Sequence, residues 1–172
     1  MNYFTVFTDV LLKPSEFFKK MPREDNLLHS LIFSVMFLLL TVLTGHFFNS
    51  IYLNKYFEVP GPVLITEFLQ IFLFYIFVSI GFILSFKLLG GKENYRDTFK
   101  IIAYSYAALP FQFIPFFLMG PIASIYWVHI CTRGGQFVHN IGYWKSCLIV
   151  LIGSFILPLL LLCIIIYIVS AL

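Results

Sequence analysis

The chain has 172 residues, of which 60% are hydrophobic and only 11% are charged. Soluble domains carry roughly 25% charged residues, so this chain has too few polar side chains to cover a water-facing surface. The net charge of +3 is small, which argues against a nucleic-acid partner, and we expect an all-α integral membrane protein whose first partner is the lipid bilayer.

The N-terminal segment, residues 1–26, carries a helical pattern of its own. Apolar side chains recur at helical spacing from Tyr3 to Leu11, and Pro14 suits the first turn of a second helix. Paired phenylalanines and paired lysines follow, a pattern typical of a helix that lies in the lipid headgroup layer. We predict a retained cytoplasmic, interfacial amphipathic segment, because the next apolar run lacks the cleavage site of a signal peptide. Its predicted membrane-interface residues are Pro14, Phe17, Phe18, Lys19 and Lys20.

Five apolar stretches follow, and they predict a five-transmembrane-helix bundle over residues 27–172. The predicted spans lie at about 27–48, 63–89, 97–114, 117–134 and 146–172. The first, second and last exceed the roughly 20 residues that cross a bilayer as a helix. Residues 101–131 contain no Asp, Glu, Lys or Arg, but one helix of that length would measure about 46 Å against a hydrocarbon core of roughly 30 Å. We therefore predict a hairpin of two spans there.

The basic residues indicate the orientation of these spans. With a hairpin in the middle, ten of the 11 basic residues share one side and only Lys55 lies opposite, whereas a single middle span would give eight against three. Because basic loops stay in the cytoplasm, this distribution favours the hairpin, a cytoplasmic N-terminus and an external C-terminus. The ten residues are Lys13, Lys19, Lys20, Arg23, Lys87, Lys92, Arg96, Lys100, Arg133 and Lys145.

Few ionisable side chains fall within the predicted spans. Glu67 lies about one turn inside the second span, Gln70 follows one turn later on the same face, and His46 lies near the outer end of the first span. These three residues form a candidate polar site, because intramembrane ionisable groups commonly mark transport pathways. The alternative is that they are interfacial side chains in contact with headgroups, which their shallow depth favours.

Small residues and prolines indicate how the spans pack. Gly81 and Ser85 are four residues apart, a spacing that lets helices approach closely, and Gly120 begins a similar pair. Tyr104 gives the third span a polar group that needs a partner inside the bundle, and Pro110 and Pro115 are expected to shape the hairpin. The glycine pairs at 90–91 and 134–135 are predicted helix ends.

No motif of an enzyme is present. The stretch "LLGGKE" is not a phosphate-binding loop, because position 86 is Phe and Glu93 stands where Ser or Thr must follow the lysine. No metalloprotease or nucleophile-elbow sequence occurs either. His129 and Cys131 point to different helix faces, and His139 lies in a predicted loop, so no metal-ligand set converges. We expect no enzymatic activity, no cofactor and no metal. The three cysteines are an odd number in or beside apolar segments, which argues against a disulfide scaffold.

Three stretches resemble the Yip-domain family of multi-span membrane proteins. They are "LLKPSEFFKKM", "LGGKENYRDTFKIIAYSYAALP" and "MGPIASIYWVHICTRGGQFVH". The resemblance implies a five-helix membrane bundle with a cytoplasmic N-terminus that associates with related membrane proteins, and in eukaryotic members it implies vesicle trafficking and GTPase recruitment. This sequence lacks a long cytoplasmic N-terminal region and the acidic, leucine-containing segment of those members. It is therefore similar to a prokaryotic-type member of the cytoplasmic membrane, and the differences argue against GTPase binding.

These observations lead to three functional hypotheses. The first is a non-enzymatic membrane scaffold or adaptor that binds another membrane protein or a second copy of itself through helix–helix contacts and its basic cytoplasmic face. The second is a small transporter or channel subunit with the polar site of His46, Glu67 and Gln70 near the outer ends of spans one and two. The third is a lipid-handling or bilayer-shaping protein that acts through its N-terminal amphipathic segment.

Overall fold

The computed structural model describes residues 2–21, 27–52, 61–91, 94–114, 118–156, 159–160 and 163, and all regular structure in them is helical. The elements are α1 (Tyr3–Leu12), α2 (Pro14–Lys20), α3 (Leu27–Tyr52), α4 (Gly61–Leu88), α5 (Tyr95–Ser105), a 3₁₀ segment (Tyr106–Phe113), α6 (Met119–Val138) and α7 (Tyr143–Leu151), which continues as a π-helical turn (Ile152–Ile156). Within α3 and α4, residues Leu27–Phe48 and Pro62–Leu88 are long and apolar enough to cross a membrane.

The third predicted span is helical but is not one regular α-helix. Helix α5 ends at Ser105, and the chain continues as a 3₁₀ segment that contains Pro110. Proline has no backbone N–H and its ring collides with the carbonyl four residues earlier, so a regular α-helix cannot continue through it. Pro115 lies outside the described residues, and so does most of the last predicted span beyond Ile156.

The glycine pairs behave differently from each other. Gly90 ends α4 with a φ of 95°, and the Gly91 N–H donates to the Phe86 carbonyl at 2.6 Å, which confirms the predicted helix end. The prediction for Gly134 and Gly135 was wrong, because both lie inside α6, which continues to Val138. The predicted loop over 132–145 therefore shrinks to four residues, where Asn140 adopts a φ of 51° that asparagine tolerates well.

The 3₁₀ segment lies at the centre of the packing. Helix α3 contacts it from one side and α6 from another, and Ala107, Ala108 and Leu109 in it are buried. Large apolar side chains on α4, among them Ile65 and Leu73, are instead exposed. Exposed apolar surface of this kind is what a helix presents to lipid.

The N-terminal helices α1 and α2 pack against this bundle. Val6 and Val10 of α1 and Phe17 and Phe18 of α2 belong to its buried core. Both phenylalanine rings contact protein, and Lys19 next to them is exposed. That this segment lies in the headgroup layer stays a prediction, because a helix docked on the bundle can also lie at that depth.

Candidate functional site

One end of the bundle contains a buried polar layer formed by Asp97, Thr98, Lys100 and His139. Lys100 Nζ lies 3.8 Å from Asp97 Oδ1, one turn earlier on α5, and both side chains are almost fully buried. Thr98 Oγ1 and His139 Nε2 are hydrogen-bonded at 3.0 Å. The His139 ring stacks on Phe86 of α4 with ring centroids 4.4 Å apart. Because buried polar groups are costly unless they are paired, this polar layer holds the end of α4, the start of α5 and the end of α6 together.

Helix α7 starts at the same end and is attached to the same elements. Ser146 Oγ donates to the Thr132 carbonyl of α6 at 2.8 Å, and both residues are fully buried. We call this end of the bundle, where α4 and α6 end and α5 and α7 begin, the basic end. The exposed cations on the elements that meet here are Lys19, Lys20, Lys87, Arg96 and Lys145.

The cations of the basic end sit on ordered elements. Arg96 Nε donates to Tyr95 Oη at 3.4 Å, which raises the pKa of the guanidinium above its ordinary value and keeps it charged. A Cβ at Gly90 would lie 3.2 Å from Lys145 Nζ, so the α7 lysine reaches the end of α4. These contacts place the Arg96 and Lys145 cations beside the ends of α4 and α5.

A second feature of the basic end is a polar and aromatic stripe along α6, formed by Tyr126, His129, Arg133 and Phe137. Tyr126 Oη donates to the Leu11 carbonyl of α1, and His129 Nδ1 lies 3.4 Å from Tyr143 Oη of α7. These residues recur at spacings of three and four, so they share one face of the helix. We call this face the α6 stripe.

The candidate polar site predicted from the sequence lies toward the opposite end. His46 Nε2 contacts Glu67 Oε2, so the structure brings α3 and α4 together at this pair. Gln70 lines a neighbouring cavity of about 300 Å³ together with Gln112 of the 3₁₀ segment. A second cavity of about 210 Å³ shares Gln112 with it and is lined by Trp127. A transport role for these three side chains stays a prediction.

The predicted packing residues lie at helix contacts. The α4 face with Gly81 and Ser85 meets Gly153, where a Cβ would lie 2.9 Å from Phe82 Cα and 3.0 Å from Ser85 Oγ. Tyr104 Oη finds its polar partner in His29 Nδ1 of α3 at 3.2 Å. A Cβ at Gly120, in the first turn of α6, would lie 3.3 Å from the Gln112 carbonyl.

Neither the polar layer nor the α6 stripe was predicted from the sequence. The Asp97–Lys100 spacing of three was a readable signal for a helical ion pair. The Thr98–His139 bond joins residues 41 apart, and no local pattern indicates such a pairing. Within the described ranges, no group of three or more His, Cys, Asp and Glu side chains is arranged to hold a metal ion.

Comparison with known proteins identifies the family. The model of the Yip1 domain matches residues 8–166, which is most of the chain. No curated protein and no solved structure matches it. Family membership and the two long apolar helices together indicate a membrane protein. The chain belongs to the Yip1 domain family.

Proposed function

We propose that the protein is a non-enzymatic membrane scaffold or adaptor of the prokaryotic cytoplasmic membrane, with five spans, a cytoplasmic N-terminus and an external C-terminus. One observation carries the proposal: exposed cations of α4, α5 and α7 (Lys87, Arg96 and Lys145) stand on helices that buried contacts join at one end of the bundle. Lys19 and Lys20 of α2 add charge at the same end. A rigid charged surface favours partner recognition, because little side-chain and loop ordering is lost on binding. The expected partner is another membrane protein or a second copy of this chain.

The helix lengths support the five-span arrangement. Helix α5 has 11 residues and the 3₁₀ segment has 8, which rise about 16 Å each at 1.5 and 2.0 Å per residue. Together they are sufficient for a hydrocarbon core of roughly 30 Å. Helix α6, with 20 residues, has the length of a span as well.

Site-specific photocrosslinking tests the scaffold role. A photoreactive amino acid at Lys20, on the basic end, is expected to capture a reproducible membrane protein in intact cells. The same group at Ile65, an exposed position at the other end of α4, is the matched control. The proposal would be contradicted if neither position gave a crosslinked partner. It would also be contradicted if both positions captured the same partner with equal yield.

A second candidate function is a small transporter or channel subunit, favoured by the His46–Glu67 contact beside the cavity that Gln70 lines. If the pair carries protons or cations, Glu67→Gln is expected to abolish flux in reconstituted vesicles, because the charge is lost and the shape is kept. Lys87→Gln at the basic end is the control and is expected to leave flux unchanged. Normal flux in Glu67→Gln would remove this site from consideration.

Bilayer shaping through the N-terminal aromatic rings is not supported, because Phe17 and Phe18 are 8% and 3% exposed. Rings that are buried in protein cannot insert between lipids unless α2 leaves the bundle. Substituting them would remove core packing, so loss of membrane deformation in such variants could reflect unfolding.

A further inference from the structure

Two cations meet at the α6 stripe, Arg133 of α6 itself and Lys19 of α2. Arg133 stacks its guanidinium over Tyr143, 4.7 Å from the ring centroid, and its Nη1 donates to Gln136 Oε1 at 3.1 Å. Its Nε is buried and has no hydrogen-bond partner among the described residues. Lys19 of α2 holds its Nζ 4.7 Å from the centroid of the Phe137 ring. Neither cation forms an ion pair with a carboxylate of the described residues.

The two cations belong to one surface. Arg133 and Phe137 are one turn apart on α6, so they are neighbours on the same helix face. Lys19 reaches this face from α2, and Tyr143 reaches it from α7. A ligand lying on the stripe would meet positive charge from both sides.

We propose that the α6 stripe binds the phosphate group of an anionic phospholipid from the leaflet at the basic end. A guanidinium forms two parallel hydrogen bonds to phosphate, and a lysine adds a point charge. Holding both cations over aromatic rings orders them before binding, which lowers the entropy lost on binding. The proposal rests on the membrane-spanning arrangement proposed above but not on the scaffold role.

Apolar side chains next to the stripe suit the rest of such a ligand. On α7, Trp144 is 78% exposed and Leu148 is 62% exposed, and they are four residues apart on one helix face. Tryptophan is enriched at headgroup depth, with its ring against lipid. A phosphate on Arg133 would therefore have acyl-chain contacts available on the neighbouring helix, which a free phosphate ion would not use.

Native mass spectrometry of the purified full chain can test the site. The probe is phosphatidylglycerol in phosphatidylcholine-containing micelles, and the measured quantity is the number and apparent affinity of retained phosphatidylglycerol molecules. Arg133→Gln and Lys19→Gln are each expected to weaken retention about fivefold to tenfold, because each removes one phosphate contact. Lys87→Gln removes an exposed charge from the same end and is expected to change retention less than twofold.

Further variants separate the remaining explanations. Arg133→Lys keeps the positive charge but cannot form the two parallel hydrogen bonds of a guanidinium. It is therefore expected to retain less lipid than the native protein and more than Arg133→Gln. Unfolding temperatures of the variants are measured alongside in lipid-free detergent. If the Arg133 variants unfold, Lys19→Gln alone tests the site, because Lys19 lies at an exposed position. Unchanged retention in Lys19→Gln, or equal losses in Lys19→Gln and Lys87→Gln, would overturn the proposal.

The source of the phosphate is tested in the same assay. Inorganic phosphate in large excess is expected to leave bound phosphatidylglycerol in place, because it lacks the acyl-chain contacts. Displacement by inorganic phosphate would overturn the assignment to a lipid. Lipid retention without any crosslinked protein partner would leave this inference intact while refuting the scaffold role.

Discussion

Gly135 offers the sharpest test of the packing at the basic end. A Cβ at this position would lie 2.9 Å from Phe86 Cε1, and closer still to Phe86 Cζ and Ser146 Oγ. Phe86 and Ser146 are 1% and 0% exposed, so neither has open space into which it can move. The substitution Gly135→Ala must therefore separate α6 from α4 and α7.

The expected loss follows from two opposing effects. Forcing a methyl group into a well-packed core costs up to about 3 kcal/mol. Replacing a glycine in a helix interior by alanine returns about 1 kcal/mol. The net free energy of unfolding should fall by about 2 kcal/mol, and the unfolding temperature by about 4–8 °C for a domain of this size.

Thermal unfolding in detergent, followed by circular dichroism, measures this shift. Gly142→Ala is the matched control, because a Cβ there would meet nothing within 4 Å, and it should shift the midpoint by less than 1–2 °C, the scatter of surface substitutions. Phe86→Leu removes the ring atoms nearest to the new methyl, so combining it with Gly135→Ala should cost less than the two single changes added. An unchanged midpoint in Gly135→Ala, or an equal fall in Gly142→Ala, would refute the assigned packing.

Three further predictions address the polar layer and the topology. His139→Ala removes the partner of Thr98 Oγ1 at a fully buried position and should cost about 3 kcal/mol in the same unfolding assay; a loss below the scatter of surface substitutions would contradict this role. Lys100→Met leaves Asp97 buried without its cation and should cost about 3–5 kcal/mol, and adding Asp97→Asn should recover part of that loss; no recovery would mean that the pair is not coupled. Alkaline phosphatase is active only when it is exported, so a fusion after Leu172 should be active. An inactive fusion, confined to the cytoplasm, would contradict the five-span, N-in orientation.

Much of the fold follows from hydropathy and from helix-end chemistry. Apolar runs longer than 20 residues predicted α3 and α4, because a bilayer sets the length of its helices. The Gly90 end of α4 was also predictable, since an L-residue with a side chain rarely adopts a positive φ. These features depend on the local sequence and on the surrounding solvent. A single sequence shows the first directly and indicates the second through its composition.

The position of α2 could not be predicted in the same way. Phe17, Phe18, Lys19 and Lys20 suit a helix in the headgroup layer and equally suit a helix docked on protein, since both burials remove the rings from water. The deciding feature is a slot on α6, where a Cβ at Gly134 would lie 3.2 Å from Phe18 Cζ. That slot exists only once α6 has formed.

The glycine pair in α6 explains how neighbouring helices pack closely against α6 at the basic end. Adjacent residues on an α-helix point about 100° apart, so Gly134 and Gly135 open two different faces of α6. A Cβ at Gly134 would lie 3.1 Å from Ile101 Cγ1 of α5, while Gly135 admits Phe86 of α4. One dipeptide therefore brings two neighbouring helices within contact of α6 at the same level. Local propensity indicates a helix end at such a pair. Two glycines in a helix interior cost about 1 kcal/mol each relative to alanine, and the close packing must offset this cost.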